Sequence, residues 1–290
     1  MARDAEMRAR APASAANLGP GYDALGLALS LYCEVTVEAA ARFELTSDGE
    51  GSELPRDSTH LAAAVVREVL GHDDVAVHVR SEIPVARGLG SSAALALAAA
   101  AAAGAGDPLT VAALIDGHAE NAAASHAGGL VAATMIGGLP VARRLRLDPE
   151  WRIVVVVPDR ELPTKAARAV LPDMVPLEAA AQNLGRMGLL VAGLADHTEL
   201  VPEAAEDRLH QDARTQLFPE APEILRRLLE AGAAMATWSG AGPSMLALCD
   251  GERAASAARD AGEACLSELG LGGRCLRLRP DLAGLVLAPG

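Results

Sequence analysis

Across residues 75–103 a strand, a glycine-rich turn and a helix follow one another without a linker, and this unit constrains the fold more than any other stretch. Val75, Val77 and Val79 alternate with polar or small neighbours, the period-two pattern of a strand with one buried face. Pro84-Val85-Ala86-Arg87-Gly88-Leu89-Gly90-Ser91-Ser92 interrupts that pattern, and residues 93–103 are almost pure Ala and Leu, the best intrinsic helix formers. What matters is the N-terminus of that helix. Two glycines let the backbone approach an anion, two serines can cap the helix, and its unpaired N–H groups and positive dipole end aim at the same spot. The segment reads as a phosphate cradle. No Lys follows the glycines, so it is not the GxxxxGK[ST] loop, and an ordinary glycine turn with a serine cap is the plain alternative.

Alternation over residues 31–38 predicts a half-buried strand; Asp48-Gly49-Glu50-Gly51 marks a turn, and Asp57-Ser58 precedes an amphipathic helix that Gly71 can stop. Residues 153–157 follow a polar stretch and read as a fully buried strand. We therefore expect two domains, residues 1–148 and 149–290, for which a chain of 290 residues is long enough. Helices are expected around residues 164–170, 179–194, 201–214, 224–231 and 254–269, short strands on either side of residues 239–244, and a closing strand pair at residues 275–279 and 282–287. Aromatics are only 2% of the residues, so Ala, Leu and Val must fill the interior.

The formal net charge is −13 and the basic residues are scattered singly, which argues against nucleic acid and anionic membrane as partners. Cys33, Cys249, Cys265 and Cys275 form no CxxC pair and have no His at metal-ligand spacing, so reduced thiols and a cytoplasmic location are expected. The charged N-terminus has no apolar run of signal-peptide type. Residues 121–142 are uncharged and long enough to span a bilayer. They carry Asn121, Ser125, His126, two glycine pairs and Pro140, however, and read as a buried helix, turn and strand.

A second polar signal is Pro12-Ala13-Ser14-Ala15-Ala16-Asn17-Leu18-Gly19-Pro20-Gly21-Tyr22-Asp23, where Asn17 and Asp23 flank a Gly-Pro-Gly turn in apolar surroundings. A third is Ser239-Gly240-Ala241-Gly242-Pro243-Ser244 between apolar strands. Taken singly, an Asx-capped turn and a tight β-turn explain them equally well. In order and spacing, these stretches and the phosphate cradle resemble the GHMP kinases, and the homoserine kinase branch in particular. Three more stretches match: Gly117-His118-Ala119-Glu120-Asn121 with Gly128-Gly129-Leu130-Val131, Glu161-Leu162-Pro163-Thr164-Lys165-Ala166-Ala167-Arg168-Ala169-Val170-Leu171-Pro172, and Glu206-Asp207-Arg208-Leu209-His210-Gln211-Asp212-Ala213-Arg214. The resemblance runs from about residue 11 to about residue 250.

It implies an α/β (α+β) fold of two domains, an N-terminal one like a ribosomal-protein S5 domain and a ferredoxin-like C-terminal one, with the active site between them. It implies ATP and Mg²⁺ as cofactors and transfer of the γ-phosphate to the side-chain hydroxyl of homoserine. The phosphates would lie on Gly88, Leu89, Gly90, Ser91, Ser92 and Ala93, with Ser92 and Asp116 on the metal, and Thr59, His60 and Leu61 near the base. The acceptor positions map to Asn17, Asp23, His118, Asn121, Thr164, Arg168 and Arg214. Asp23 suits an ammonium, Arg168 and Arg214 a carboxylate, and Asn121 the hydroxyl. Asn121, Ser92 and Arg168 are the residues assigned to catalysis. No carboxylate base stands out, and phosphoryl transfer through a loose transition state does not require one.

Ala15 stands where the family usually has Ser, Ala119 where it has Pro, and Glu120 where it has Asp. Leu114-Ile115-Asp116-Gly117-His118 replaces a Glu, an apolar residue, Glu, Gly and His, which puts Leu114 at an expected metal carboxylate and predicts weak Mg²⁺ binding. A register displaced by one helical turn would make Leu114 core instead. Two rivals stay open: a GHMP kinase for another small hydroxy or amino acid, and a relative that binds ligand without phosphoryl transfer. A homodimer is also left open.

Overall fold

The computed structural model describes residues 6–289. β1 (Met7–Asn17) and β2 (Gly21–Ala39) form an antiparallel pair, followed by β3 (Glu44–Gly49), α1 (Leu61–Leu70) and β4 (Val75–Ser81). β4 runs antiparallel to β2 and parallel to β3. α2 (Ser91–Ala102), α3 (Pro108–Asp116) and α4 (Ala119–Ala127) lead to the hairpin β5 (Leu130–Ile136) and β6 (Leu139–Leu145). Besides β1, the 19 residues of β2 serve two further partners: Cys33 to Ala39 pair with β4, and Leu25, Gly26 and Leu27 pair with β5. Alternation marks only the first of these halves. The other lies between covering layers, with Leu25, Leu27, Ala28 and Leu29 all buried, so both faces are apolar and the period disappears.

A second sheet begins with β7 (Trp151–Pro158). Then come α5 (Thr164–Ala169), α6 (Leu177–Ala195), two short 3-10 turns, α7 (Gln211–Thr215), α8 (Ala221–Glu230), β8 (Met235–Trp238), β9 (Met245–Asp250), α9 (Gly251–Glu268) and β10 (Gly273–Leu278). Its strand order is β10-β7-β9-β8, all antiparallel. The last strand, β11 (Val286–Pro289), returns to the first sheet and pairs with β1.

α2 is the centre of the first core. Nine of its twelve residues are buried, and it packs against β1, β2, α1, α3 and α4. A helix surrounded on every side needs apolar residues all round, and Ala lets five neighbours approach it closely. The uncharged stretch at residues 121–142 becomes α4, a glycine turn and the β5–β6 hairpin, two strands where one buried strand was expected, with Met135, Ile136, Leu139 and Val141 exposed.

Two local expectations are corrected. The stretches at residues 275–279 and 282–287 are not paired with each other: β10 lies in one sheet and β11 in the other. Asp281 divides them, its carboxylate accepting the Ala283 and Gly284 N–H groups and the Tyr32 hydroxyl. Residues 201–214 are not one helix, because the Asp207 carboxylate accepts the N–H groups of Leu209, His210 and Gln211 and restarts the chain as α7. The helix expected after Asp57-Ser58 is α1, stopped at Gly71; the His60 ring caps it by accepting the Ala62 N–H, and Asp57 accepts from Thr59.

Candidate active site

A cavity of about 390 Å³ opens in front of the first turn of α2. The residues around it come from the phosphate loop, the β1–β2 turn, the α3–α4 junction, α5, α7 and the Gly240-Ala241 turn of the second sheet.

On the phosphate side, Gly90 is the N-cap of α2, in the left-handed region at φ 64°, and no side chain caps the helix. The expected serine cap is corrected: Ser91 and Ser92 are the first helical residues, which leaves the helix mouth to a ligand. Both glycines are demanded by close approach. A Cβ on Gly88 would lie 2.2 Å from the Ser239 carbonyl oxygen, and one on Gly90 2.2 Å from Ser14 Oγ. The loop is held from both sheets. Ser14 N–H donates to Leu89 O at 3.1 Å, Leu162 N–H to Ala86 O at 3.2 Å, Ser239 Oγ–H to Gly88 O at 2.7 Å and Arg87 Nε–H to Pro158 O at 3.0 Å. Ser92 Oγ–H donates to Asp116 Oδ1 at 2.5 Å, and the other Asp116 oxygen lies 3.5 Å from His118 Nδ1. That Asp116 contact holds the His118 imidazole above its ordinary pKa, against the effect of burial. At the far end Thr59, His60 and Leu61 line the cavity, and burial pushes the His60 imidazole down.

On the acceptor side, Arg168 Nη2–H donates to Asp23 Oδ1 at 2.7 Å and Nη1–H to the Tyr22 hydroxyl at 2.9 Å. Burial works against the Arg168 charge, yet the Asp23 carboxylate raises its pKa overall. Asn17 Nδ2–H donates to Gly240 O at 2.9 Å, and Asn17 Oδ1 accepts the Asp23 N–H at 3.0 Å. Asn17 and Asp23 both have positive φ, 72° and 51°, a strained conformation held by these bonds. Arg214 is 2% exposed and donates through Nη1 to Gly240 O at 2.8 Å and to His210 Nδ1 at 2.9 Å. With Nδ1 accepting from Arg214, His210 carries its proton on Nε2 and donates it to Gly19 O at 2.9 Å. Burial pushes His210 down to about 4, so it is neutral at pH 7. The guanidinium carbons of Arg168 and Arg214 lie 5.7 and 5.8 Å from the Tyr22 ring centre, so one aromatic ring borders both cations.

All the residues expected at the acceptor line this one cavity: Asn17, Asp23, His118, Asn121, Thr164, Arg168 and Arg214. Tyr22 and His210 stood in the quoted motifs but carried no role, because nothing in the sequence shows that the ring of one meets the imidazole of the other at 5.1 Å. Glu120 also lines the cavity, and burial raises its carboxyl pKa.

The sequence profile described as GHMP kinases N terminal domain matches residues 58–138, and that described as GHMP kinases C terminal matches residues 177–267. A homoserine kinase of Streptomyces avermitilis is 42% identical over 281 residues, covering 90% of this chain and 91% of that protein. One of Moorella thermoacetica is 38% identical over 260 residues, 84% of this chain and 88% of that protein. The chain belongs to the homoserine kinase family of the GHMP kinases. The crystal structure of a homoserine kinase from Cytophaga hutchinsonii superposes with a TM-score of 0.86 at 26% identity, covering 99% of both chains, so the two-domain GHMP kinase fold is shared throughout. Within this GHMP kinase, Asn17, Asp23, Thr164 and Arg168 fall outside both profile matches, whereas the phosphate loop falls inside one. Leu114 is 58% exposed on α3, so it is not core, and it does not line the cavity, while Asp116, two residues on, meets Ser92.

Proposed function

We propose that this chain transfers the γ-phosphate of ATP to the side-chain hydroxyl of L-homoserine, forming O-phospho-L-homoserine on the way to threonine. The observation that carries the acceptor class is the Asp23–Arg168 pair, an anion and a cation 2.7 Å apart at the cavity wall with side chains 38% and 36% exposed. A zwitterion can replace that single ion pair with two charge-assisted contacts, its ammonium on Asp23 and its carboxylate on Arg168. Arg214, held by His210 and Gly240, adds a second positive charge for the carboxylate. Thr164, one turn before Arg168 on α5, together with His118, Asn121 and Asn17, closes around the amino acid.

The triphosphate is assigned to Gly88, Leu89, Gly90, Ser91, Ser92 and Ala93. Ser92 Oγ and Asp116 fit a Mg²⁺ ion, because a hydroxyl and a carboxylate in contact beside the loop are the hard oxygen donors that ion takes. When bound, Mg²⁺ neutralises charge on the β- and γ-phosphates. The homoserine hydroxyl oxygen attacks the γ-phosphorus directly while the bond to the ADP oxygen breaks, and the hydroxyl proton passes late to an oxygen of the transferred phosphoryl group. Asn121 orients the hydroxyl, and alignment with charge neutralisation supplies the rate. We read the enzyme as cytoplasmic, with ATP and homoserine as its partners. Its four thiols are free and buried, and no helix among the described residues is long and apolar enough to cross a membrane.

An ADP-coupled assay against homoserine, serine, threonine, a des-amino analogue and no acceptor tests this reading. Homoserine should give the highest kcat/KM. Equal turnover of the des-amino analogue would remove Asp23 from recognition, and amino-acid binding without ADP release would mean a non-catalytic relative.

A further inference from the structure

We propose that Ser14 is a positioning residue for phosphoryl transfer: its hydroxyl fixes the Asn121 amide so that the amide NH2 faces the cavity, and its backbone ties the same point to the phosphate loop. The inference rests on the reading of Asn121 as the residue that meets the acceptor hydroxyl. Ser14 lies on β1, fully buried and outside the cavity lining, so it acts only through its neighbours. Its Oγ is 3.0 Å from Asn121 Oδ1, 3.2 Å from Asn121 O and 3.3 Å from Ser125 Oγ, one turn further along α4.

A hydroxyl has one proton to give. Ser125 directs its proton to Ser14, so the Ser14 proton goes to Asn121, whose Oδ1 is the nearer acceptor. With Oδ1 tied inward, the amide presents its NH2 group outward. Asn121 is then a donor toward the acceptor hydroxyl oxygen or a phosphoryl oxygen, and it is barred from serving as a proton acceptor. On the other side, Ser14 N–H donates to Leu89 O at 3.1 Å. Gly90 lacks the Cβ that would sit 2.2 Å from Ser14 Oγ and 3.1 Å from Asn121 Oδ1. Loop, Ser14 and Asn121 thus form one stack, and its thickness sets the spacing between the phosphate cradle and the amide. Plain packing does not account for the hydroxyl. The buried neighbours Ala13, Ala15 and Ala16 fill the same strand without a polar atom, and a buried hydroxyl is costly unless it is bonded.

The test is steady-state kinetics with ATP and homoserine on the full chain carrying Ser14→Ala, Asn121→Ala or both, with thermal unfolding of each variant. Ser14→Ala should lower kcat about tenfold, the scale of one lost hydrogen bond, with both KM values within about twofold. The double variant should match Asn121→Ala alone. A further drop of the same size in the Asn121→Ala background would show that Ser14 acts through the fold and overturn the proposal. Full kcat in Ser14→Ala beside an impaired Asn121→Ala would sink the relay and leave Asn121 in place. A fully active Asn121→Ala would remove both. If Ser14→Ala does not fold, Ser125→Ala carries the test: a drop in kcat of about threefold at unchanged KM supports the relay, and wild-type kcat overturns it.

Discussion

The two sides of the cavity are built in opposite ways. The phosphate side is one continuous stretch lining the cavity, Gly88 to Ser92, where the proposed binding falls to the backbone and the N-terminus of α2 with Ser92 as the one side chain assigned a part. The acceptor side collects Asn17, Asp23, Asn121, Thr164, Arg168 and Arg214 from two strands of the first sheet and three helices. The triphosphate of the donor is the same whatever the acceptor, so a locally encoded loop suffices for it. An amino acid is recognised by charges at fixed separations, which only packed elements can hold. The profile matches do not divide along that line: they contain the loop together with Asn121 and Arg214, and leave out Asn17, Asp23, Thr164 and Arg168.

Substitutions on each side should separate the two affinities, and the largest effect belongs to the loop. Gly90→Val places a β-branched side chain at φ 64° against Ser14 Oγ, so nucleotide titration should show ATP affinity reduced by more than about 100-fold, with a lowered Tm. Normal ATP binding would reduce the loop to a structural turn. Next is Arg168→Leu, which leaves Asp23 without its cation and should raise the homoserine KM roughly 100-fold with ATP affinity unchanged. Equal loss of both affinities would break the division between the sides.

Asp116→Asn should lower kcat about tenfold at low Mg²⁺ and recover as Mg²⁺ is raised, because the amide keeps a contact to Ser92 but loses the charge. Full activity at low Mg²⁺ would take Asp116 out of the metal site. His210 adds a pH dependence. Its folded pKa of about 4 lies below the ordinary 6.5, so the unfolded chain binds more protons between these values. The stability that neutral His210 contributes is present above pH 6.5 and is lost as pH falls toward 4, along with the acceptor for Arg214. Thermal unfolding across that range should show this slope flattened in His210→Gln. The smallest effect is Leu114→Glu, an exposed change off the cavity, which should leave kinetics unchanged and stability within about 0.5 kcal/mol.

The phosphate loop was legible because every determinant of it is local: φ tolerance at Gly88 and Gly90, Ser92 in the first helical turn, and a long Ala-rich helix behind them. Motif resemblance supplied the acceptor residues, and the structure brings them to one cavity. Two kinds of error mark where local reading stops. The stretches at residues 275–279 and 282–287 look alike as strands, yet Asp281 sends the second back to β1, a partner about 280 residues earlier in the chain. Residues 201–214 have helical composition, but the buried Asp207 carboxylate captures three N–H groups and breaks the run.

The sequence by itself determined the strand, glycine loop and helix over residues 75–103, most of the other helices, and the chemical types present at the acceptor. Only the tertiary structure decided that Arg214 is buried against a neutral His210, that Tyr22 borders both guanidiniums, that Ser14 meets Asn121, and that Leu114 faces solvent. Dihedral preference and helix propensity act between neighbours in the chain, whereas hydrogen-bond partners and burial depend on atoms more than 100 residues apart, such as Ser14 and Asn121, which meet only after the sheets have packed.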